Sequence, residues 1–175
     1  MHDNLSSIII LNYNGENFLE DCINSIKEYT TGNYEIIVVD NASPDNSGRK
    51  IVSKYPECKF ILNEKNVGVP EGLNIGIKNS SGEFIILMNN DVKVTKGWLE
   101  KFFNAYKIHG IGLYQPKLLE SNGRDIINSA GNMMNIFGLA YSRGKGEKDI
   151  GQYDKFSKIS YTSGACTFTS KKITD

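Results

Sequence analysis

Along the first hundred residues, short uninterrupted apolar runs alternate with stretches in which apolar residues recur every three or four positions. Residues 7–11 (SIIIL), 35–40 (EIIVVD), 59–63 (KFILN) and 84–92 (FIILMNNDV) are the runs. An apolar run without polar interruption predicts a strand buried on both faces, as in a parallel sheet covered by helices. Between the first two, Phe18, Leu19, Cys22, Ile23 and Ile26 recur at helical spacing, with Glu16, Glu20, Asp21 and Lys27 on the opposite face. A second helix is predicted to start near Ser47, with Ile51 and Val52 toward the core and Pro56 ending the segment. A third spans about 71–79 and carries Gly72 and Gly76. Each glycine costs a helix up to ~1 kcal/mol relative to alanine, so close packing of its backbone is the expected compensation. A fourth follows Gly97, with Trp98, Leu99, Phe102, Phe103 and Tyr106 on one side, as core.

Beyond residue 110 the pattern changes. Residues 111–114 and 117–119 predict one or two strands interrupted by Pro116, then a hairpin about residues 121–124 and a short strand at Met133 and Met134. A mobile loop is expected over 142–149, and 158–169 reads as a turn between strands. The order implies an α/β fold: a mostly parallel central sheet with helices on both faces, and an antiparallel C-terminal part.

Composition narrows the function. At 175 residues the chain makes one domain with a sizeable core. Lys+Arg and Asp+Glu number 20 each, which argues against a nucleic-acid binder, whose affinity rests on a surplus of cations. No apolar run reaches the roughly 18–20 residues that cross a bilayer, and no secretory signal opens the chain. Cys22, Cys58 and Cys166 are odd in number and far apart, so they read as reduced thiols of a cytoplasmic protein.

The candidate chemistry sits where strands end. Asn12, Tyr13 and Asn14 follow the first run, Asp40 ends the second with Asn41 after it, Asn66 follows the third, and Asn89-Asn90-Asp91 ends the fourth. Ligands of open α/β sheets bind outside the carboxyl ends of the strands. One carboxylate among amides suits a hard cation that keeps its other positions for water and phosphate. It also suits a plain turn. Asp40 fits a helix cap as well as a ligand contact, and Asn66 and Gly68 fit a turn. The glycine fingerprints of dinucleotide and P-loop sites are absent from the sequence, as is a G-x-S-x-G elbow. His2 and His109 read as surface residues.

These strings together resemble the family 2 glycosyltransferases of the GT-A fold, the rhamnosyltransferase-like branch in particular. The residues that carry the resemblance are 7–14 (SIIILNYN), 37–43 (IVVDNAS), 66–68 (NVG) with 72–76 (GLNIG), and 87–92 (LMNNDV) with 97–99 (GWL), all in the family's order. The resemblance implies a GT-A sandwich, residues 1–110 forming the half that binds the donor and 111–175 beginning the acceptor-side half. Asp40 would accept the imide N–H of a uracil or thymine ring, Asn12, Tyr13 and Asn14 would line the base and ribose, and Leu11 and Asn41 would join the nucleotide-sugar site. Asn66, Gly68 and Asn74 would lie near ribose and diphosphate, where a glycine lets backbone approach. Asn89 and Asn90 would join Asp91, the ligand of Mg²⁺ or Mn²⁺, and Gly164-Ala165 would be the acceptor-side turn. The implied reaction moves a sugar, with inversion, from a UDP or dTDP donor to a glycan or lipid-linked acceptor, in the cytoplasm and at the inner face of the membrane. The family's catalytic base is expected beyond Asp175, so no catalytic residue is assigned and a truncated transferase domain is the expectation. The competing readings are a non-catalytic nucleotide-sugar-binding module and an unrelated α/β nucleotide-binding domain.

Overall fold

A computed structural model describes residues 4–121 and 125–174. The four apolar runs are the strands β1 (Ser6–Asn12), β2 (Tyr34–Asp40), β3 (Lys59–Leu62) and β4 (Phe84–Asn89). They lie in the order β3-β2-β1-β4 and are mutually parallel, so all four carboxyl ends reach one edge. β1 is the middle of this arrangement, and all seven of its residues are buried. A fifth strand, Cys166–Ser170, runs antiparallel beside β4 and closes the sheet.

Helices cover both faces, as the strand composition predicts. On one face lie α1 (Leu19–Tyr29) and α4 (Trp98–His109), whose Leu19, Cys22, Ile23, Ile26, Leu99, Phe102 and Phe103 meet Ile8, Ile10, Val38, Phe84, Ile86 and Met88 of the sheet. Trp98 is core, and its indole N–H donates to Thr30 Oγ1 at 3.0 Å. On the other face α3 (Val69–Lys78) lies over Ile9, Leu11, Ile37 and Val39. Its two glycines explain themselves: a Cβ on Gly76 would stand under 3 Å from Ile9 Cγ2, and one on Gly72 as close to Leu11 Cδ1. α2 (Ser47–Ile51) is brief and runs into a 3₁₀ turn over Val52–Lys54. Ile51 packs on the core as expected, but Val52 is exposed; Tyr55 and Cys58 fill the place assigned to it.

The C-terminal part departs further from expectation. Residues 111–114 form no strand; Tyr114 alone makes a bridge to Phe168, while Ile111 and Leu113 are exposed. β5 (Leu118–Leu119) pairs with β6 (Ile127–Ser129), the two arms of the predicted hairpin, whose tip at residues 122–124 lies outside the described residues. β7 (Asn132–Met134) and β8 (Ala140–Ser142) form a second hairpin. Its turn is well bonded, Asn135 Oδ1 accepting the N–H groups of Phe137 and Leu139. It holds Ile136 and Phe137 in solvent, 93% and 82% exposed. The segment expected to be a turn between strands instead ends in the fifth strand of the main sheet, β9 (Cys166–Ser170). Its buried Phe168 stacks on Phe84 and Phe102 and meets Phe103, Tyr106 and Tyr114 at their edges.

Candidate functional site at the carboxyl edge of the sheet

The register Asn12↔Asp40 and Leu11↔Asn89 brings the ends of β1, β2 and β4 side by side. Asn12 is the hub. Its side chain is fully buried, and its Nδ2 donates to Asp40 Oδ1 (2.6 Å), Ser47 Oγ (2.8 Å) and Ser43 Oγ (3.1 Å). Its Oδ1 accepts from Asn90 Nδ2 at 2.7 Å. The sequence reading has Asn12 lining base and ribose; in the structure its side chain has no exposed surface and bonds Asp40, Ser43, Ser47 and Asn90.

Asp40 is 3% exposed. Oδ1 accepts from Asn12 and from the Ser43 hydroxyl (2.6 Å), and Oδ2 accepts the Ser43 N–H (3.2 Å), leaving Oδ2 capacity for one more donor. Gly48 lies against the carboxylate so closely that a Cβ there would stand under 3 Å from Asp40 Cγ. The loops after β1 and β2 are locked together: Asn14 N–H donates to Ser43 Oγ, and Gly15 N–H to Ser47 Oγ. Three of the described non-glycine residues with left-handed backbone, Asn14, Ala42 and Asn46, belong to these two loops. Alanine gains nothing from that conformation, so strain is stored beside Asp40. Asp45 accepts the N–H groups of Ser47 and Glu16. Partial burial opposes its ionisation, yet those hydrogen bonds outweigh it and hold the carboxyl below the usual range.

Asn41, also buried, clips the loop after β3. Its Nδ2 donates to Asn66 Oδ1 and Gly68 O, and its Oδ1 accepts from Val67 N–H and Asn63 Nδ2. Like Asn12 it is internal, where the sequence reading lines the ligand with it. Leu11 is buried under Gly72. Tyr13, Asn14, Asn66, Gly68, Asn74, Asn89 and Asp91 are exposed, and Asn90 is half-buried. Asn74, on α3, is joined to the others by no hydrogen bond among the described residues. Ala165 touches the turn after β4, its carbonyl oxygen accepting the Asn89 N–H at 3.0 Å, and Gly164 precedes it. Beneath the turn, the Cys22 thiol points at Asn89 O and Met88 Sδ. Burial first, then Cys166 and Asp91, pushes that thiol up to about 12.

Sequence reading missed Ser43, Ser47 and Gly15. The serines looked like turn and cap residues, which they also are; only the fold shows their hydroxyls turned to Asn12. As for a cation, no group of three or more His, Cys, Asp or Glu converges among the described residues. The donors at the β4 turn are an exposed carboxylate and, on Asn90, an amide oxygen on the branch away from Asn12. An oxygen-only set with one carboxylate fits a hard divalent ion that takes its other ligands from water and phosphate.

Fold and edge together define a GT-A-type α/β transferase scaffold. The profile of Glycosyl transferase family 2 matches residues 7–175, and the chain belongs to that family. It is 32% identical over 135 residues to the uncharacterized glycosyltransferase EpsJ of Bacillus subtilis, covering 67% of this chain and 39% of that one. It is 35% identical over 105 residues to a dolichol-phosphate mannosyltransferase of Pyrococcus furiosus, 58% of this chain and 30% of that protein. The chain thus spans about two fifths or less of the curated relatives it matches. Among solved structures it is similar to TarS 1-349 of S. aureus in complex with UDP-GlcNAc (TM-score 0.58, 27% identity, 68% of this chain and 36% of that one). The mannosyltransferase PcManGT of Pyrobaculum calidifontis, in complex with GDP-Man and Mn²⁺, shares the fold over 96% of this chain and 45% of that one (TM-score 0.64, 14% identity).

Proposed function

We propose that this chain carries the donor site of a glycosyltransferase that moves a sugar from a nucleoside diphosphate, UDP or dTDP, to a glycan or lipid-linked acceptor. The observation that carries the reading is the hydrogen-bonded chain at the sheet edge that joins Asp40 through Asn12 to Asn90, the residue before exposed Asp91. The UDP-GlcNAc bound by TarS supports it. Residues 1–110 would hold the donor, and residues 111–175 would begin the acceptor side, with Gly164-Ala165 as its turn.

Asp40 would read the base. An ionised carboxylate only accepts, so the spare position on Oδ2 selects a ring that offers an N–H. Uracil and thymine offer the same edge there, which leaves both donors in the proposal. Tyr13 and Asn14, exposed beside it, would flank base and ribose; Asn66 and Gly68 would face ribose and diphosphate. Asp91, with the outward oxygen of Asn90, would hold Mg²⁺ or Mn²⁺ against the diphosphate. When bound, that ion supplies Lewis-acid neutralisation of the charge on the departing nucleoside diphosphate. Inversion, carried by the family resemblance, means that the acceptor hydroxyl attacks the anomeric carbon from the face opposite the leaving group.

Calorimetric titration of UDP, dTDP, GDP and NAD, with and without Mn²⁺, tests the reading. The expected outcome is Mn²⁺-dependent binding of the pyrimidine diphosphates. Asp40→Ala should weaken it about ten- to hundredfold, the range of a hydrogen bond to a charged group. Asp91→Ala should remove the metal-dependent part alone. Failure of every nucleotide to bind, or a preference for NAD, would overturn it.

A further inference from the structure

The Asn12 carboxamide poses a question of polarity. An amide has a donating branch and an accepting branch, and which points where is decided by its partners. Asp40, when ionised, can only accept. The branch of Asn12 that faces it must therefore be the NH₂, and the 2.6 Å contact and the two serine hydroxyls agree. That choice turns the Asn12 oxygen toward Asn90, which must then offer its own NH₂, at 2.7 Å. The Asn90 oxygen is thereby left on the branch away from Asn12, in the turn that carries exposed Asp91. A charge at the end of β2 thus dictates, through two amides, that the turn after β4 presents an oxygen and not an N–H.

We propose that Asn12 is a positioning residue that transmits this polarity, coupling the base-reading carboxylate to the cation-binding turn. Were Asn90 reversed, its NH₂ would stand where the cation is held, and cation affinity would fall. Asn12 suits the task because it is fully buried and anchored on both branches. Gly15 completes the device. A Cβ there would stand under 3 Å from both Asn12 Oδ1 and Asn90 Nδ2, so only glycine lets the two amides meet. The inference rests on the donor-site reading of Asp40 and Asp91, and concerns Asn12 and Gly15, which need touch neither nucleotide nor metal.

The test measures UDP affinity with and without Mn²⁺ and takes the ratio of the two dissociation constants. In Asn12→Ser and in Gly15→Ala the ratio should collapse at least fivefold, with Asp40 and Asp91 untouched. Asn90→Ala should collapse it likewise, and the double variant Asn12→Ser/Asn90→Ala should be no worse than either single one. A purely structural role would weaken UDP equally in both conditions, leave the ratio unchanged, and overturn the proposal. Uridine, which has no phosphate, supplies a second readout in the native chain: its titration should shift the Asn90 side-chain NH₂ resonance, and Gly15→Ala should abolish that shift. Uridine that perturbs the loops around Asp40 and leaves Asn90 unmoved refutes the coupling alone. Uridine and UDP that perturb nothing near Asp40 refute the donor-site reading beneath it.

Discussion

At the scale of single residues, the glycines show most sharply that space, and not sequence context, sets what a position tolerates. Gly76 and Gly164 are both glycines without left-handed backbone, yet one faces Ile9 and Val39 while the other faces nothing within 4 Å. Gly76→Ala gains up to ~1 kcal/mol in helix propensity, but overpacking against the sheet costs about 1–3 kcal/mol. Chemical denaturation should therefore show net destabilisation by Gly76→Ala and a change within about 0.5 kcal/mol for Gly164→Ala. The sequence already hinted at the first of these, since two glycines four apart in a helix demand a packing partner. It could not show the reach of Asn12: an asparagine after a strand is compatible with a turn, a ligand contact or a buried hub. Only the register that sets it against Asp40 and Asn90 decides among them.

At the scale of elements, legibility follows the uninterrupted apolar run. β1, β2, β3 and β4 were readable because each is a compact apolar run. β9 was not, because Thr167 and Thr169 alternate with Cys166 and Phe168 and look like half-exposed turn material, although all are buried. What brings β9 into the sheet is Phe168, whose ring sits among five aromatic neighbours from β4, α4 and Tyr114. Truncating it removes the contact that ties this strand to α4. Phe168→Ala should cost about 3–5 kcal/mol in urea denaturation, as large-to-small changes of buried aromatics do. Conversely, residues 111–114 failed as a strand although they contain Ile111, Leu113 and Tyr114. The edge beside β9 takes only Tyr114, and Gly112 and Pro116 favour a loop around it.

For the whole molecule, the ionisable groups give a directional account of stability against pH. Burial pushes Cys22 and Cys166 up to about 12 and Cys58 up to about 11, from an ordinary value of 9.0. A raised pKa means that the folded chain holds these protons more tightly than the unfolded one. The stabilisation is thus complete below about pH 9 and is lost as pH rises through 11 and then 12. Above pH 9 each thiol can steepen the loss by up to about 1.4 kcal/mol per pH unit. Denaturation midpoints measured from pH 7 to 10.5 should fall faster at the alkaline end, and Cys58→Ala should flatten that fall. Among the described residues no helix is long and apolar enough to cross a membrane.

The β7–β8 hairpin has a consequence of another kind. Its well-bonded turn keeps Ile136 and Phe137 outside, an apolar surface offered to solvent. The formal charge of the chain is zero, so copies at neutral pH have little long-range repulsion to hold them apart. The hairpin tip is therefore one place where copies can adhere, with little net charge to oppose the approach.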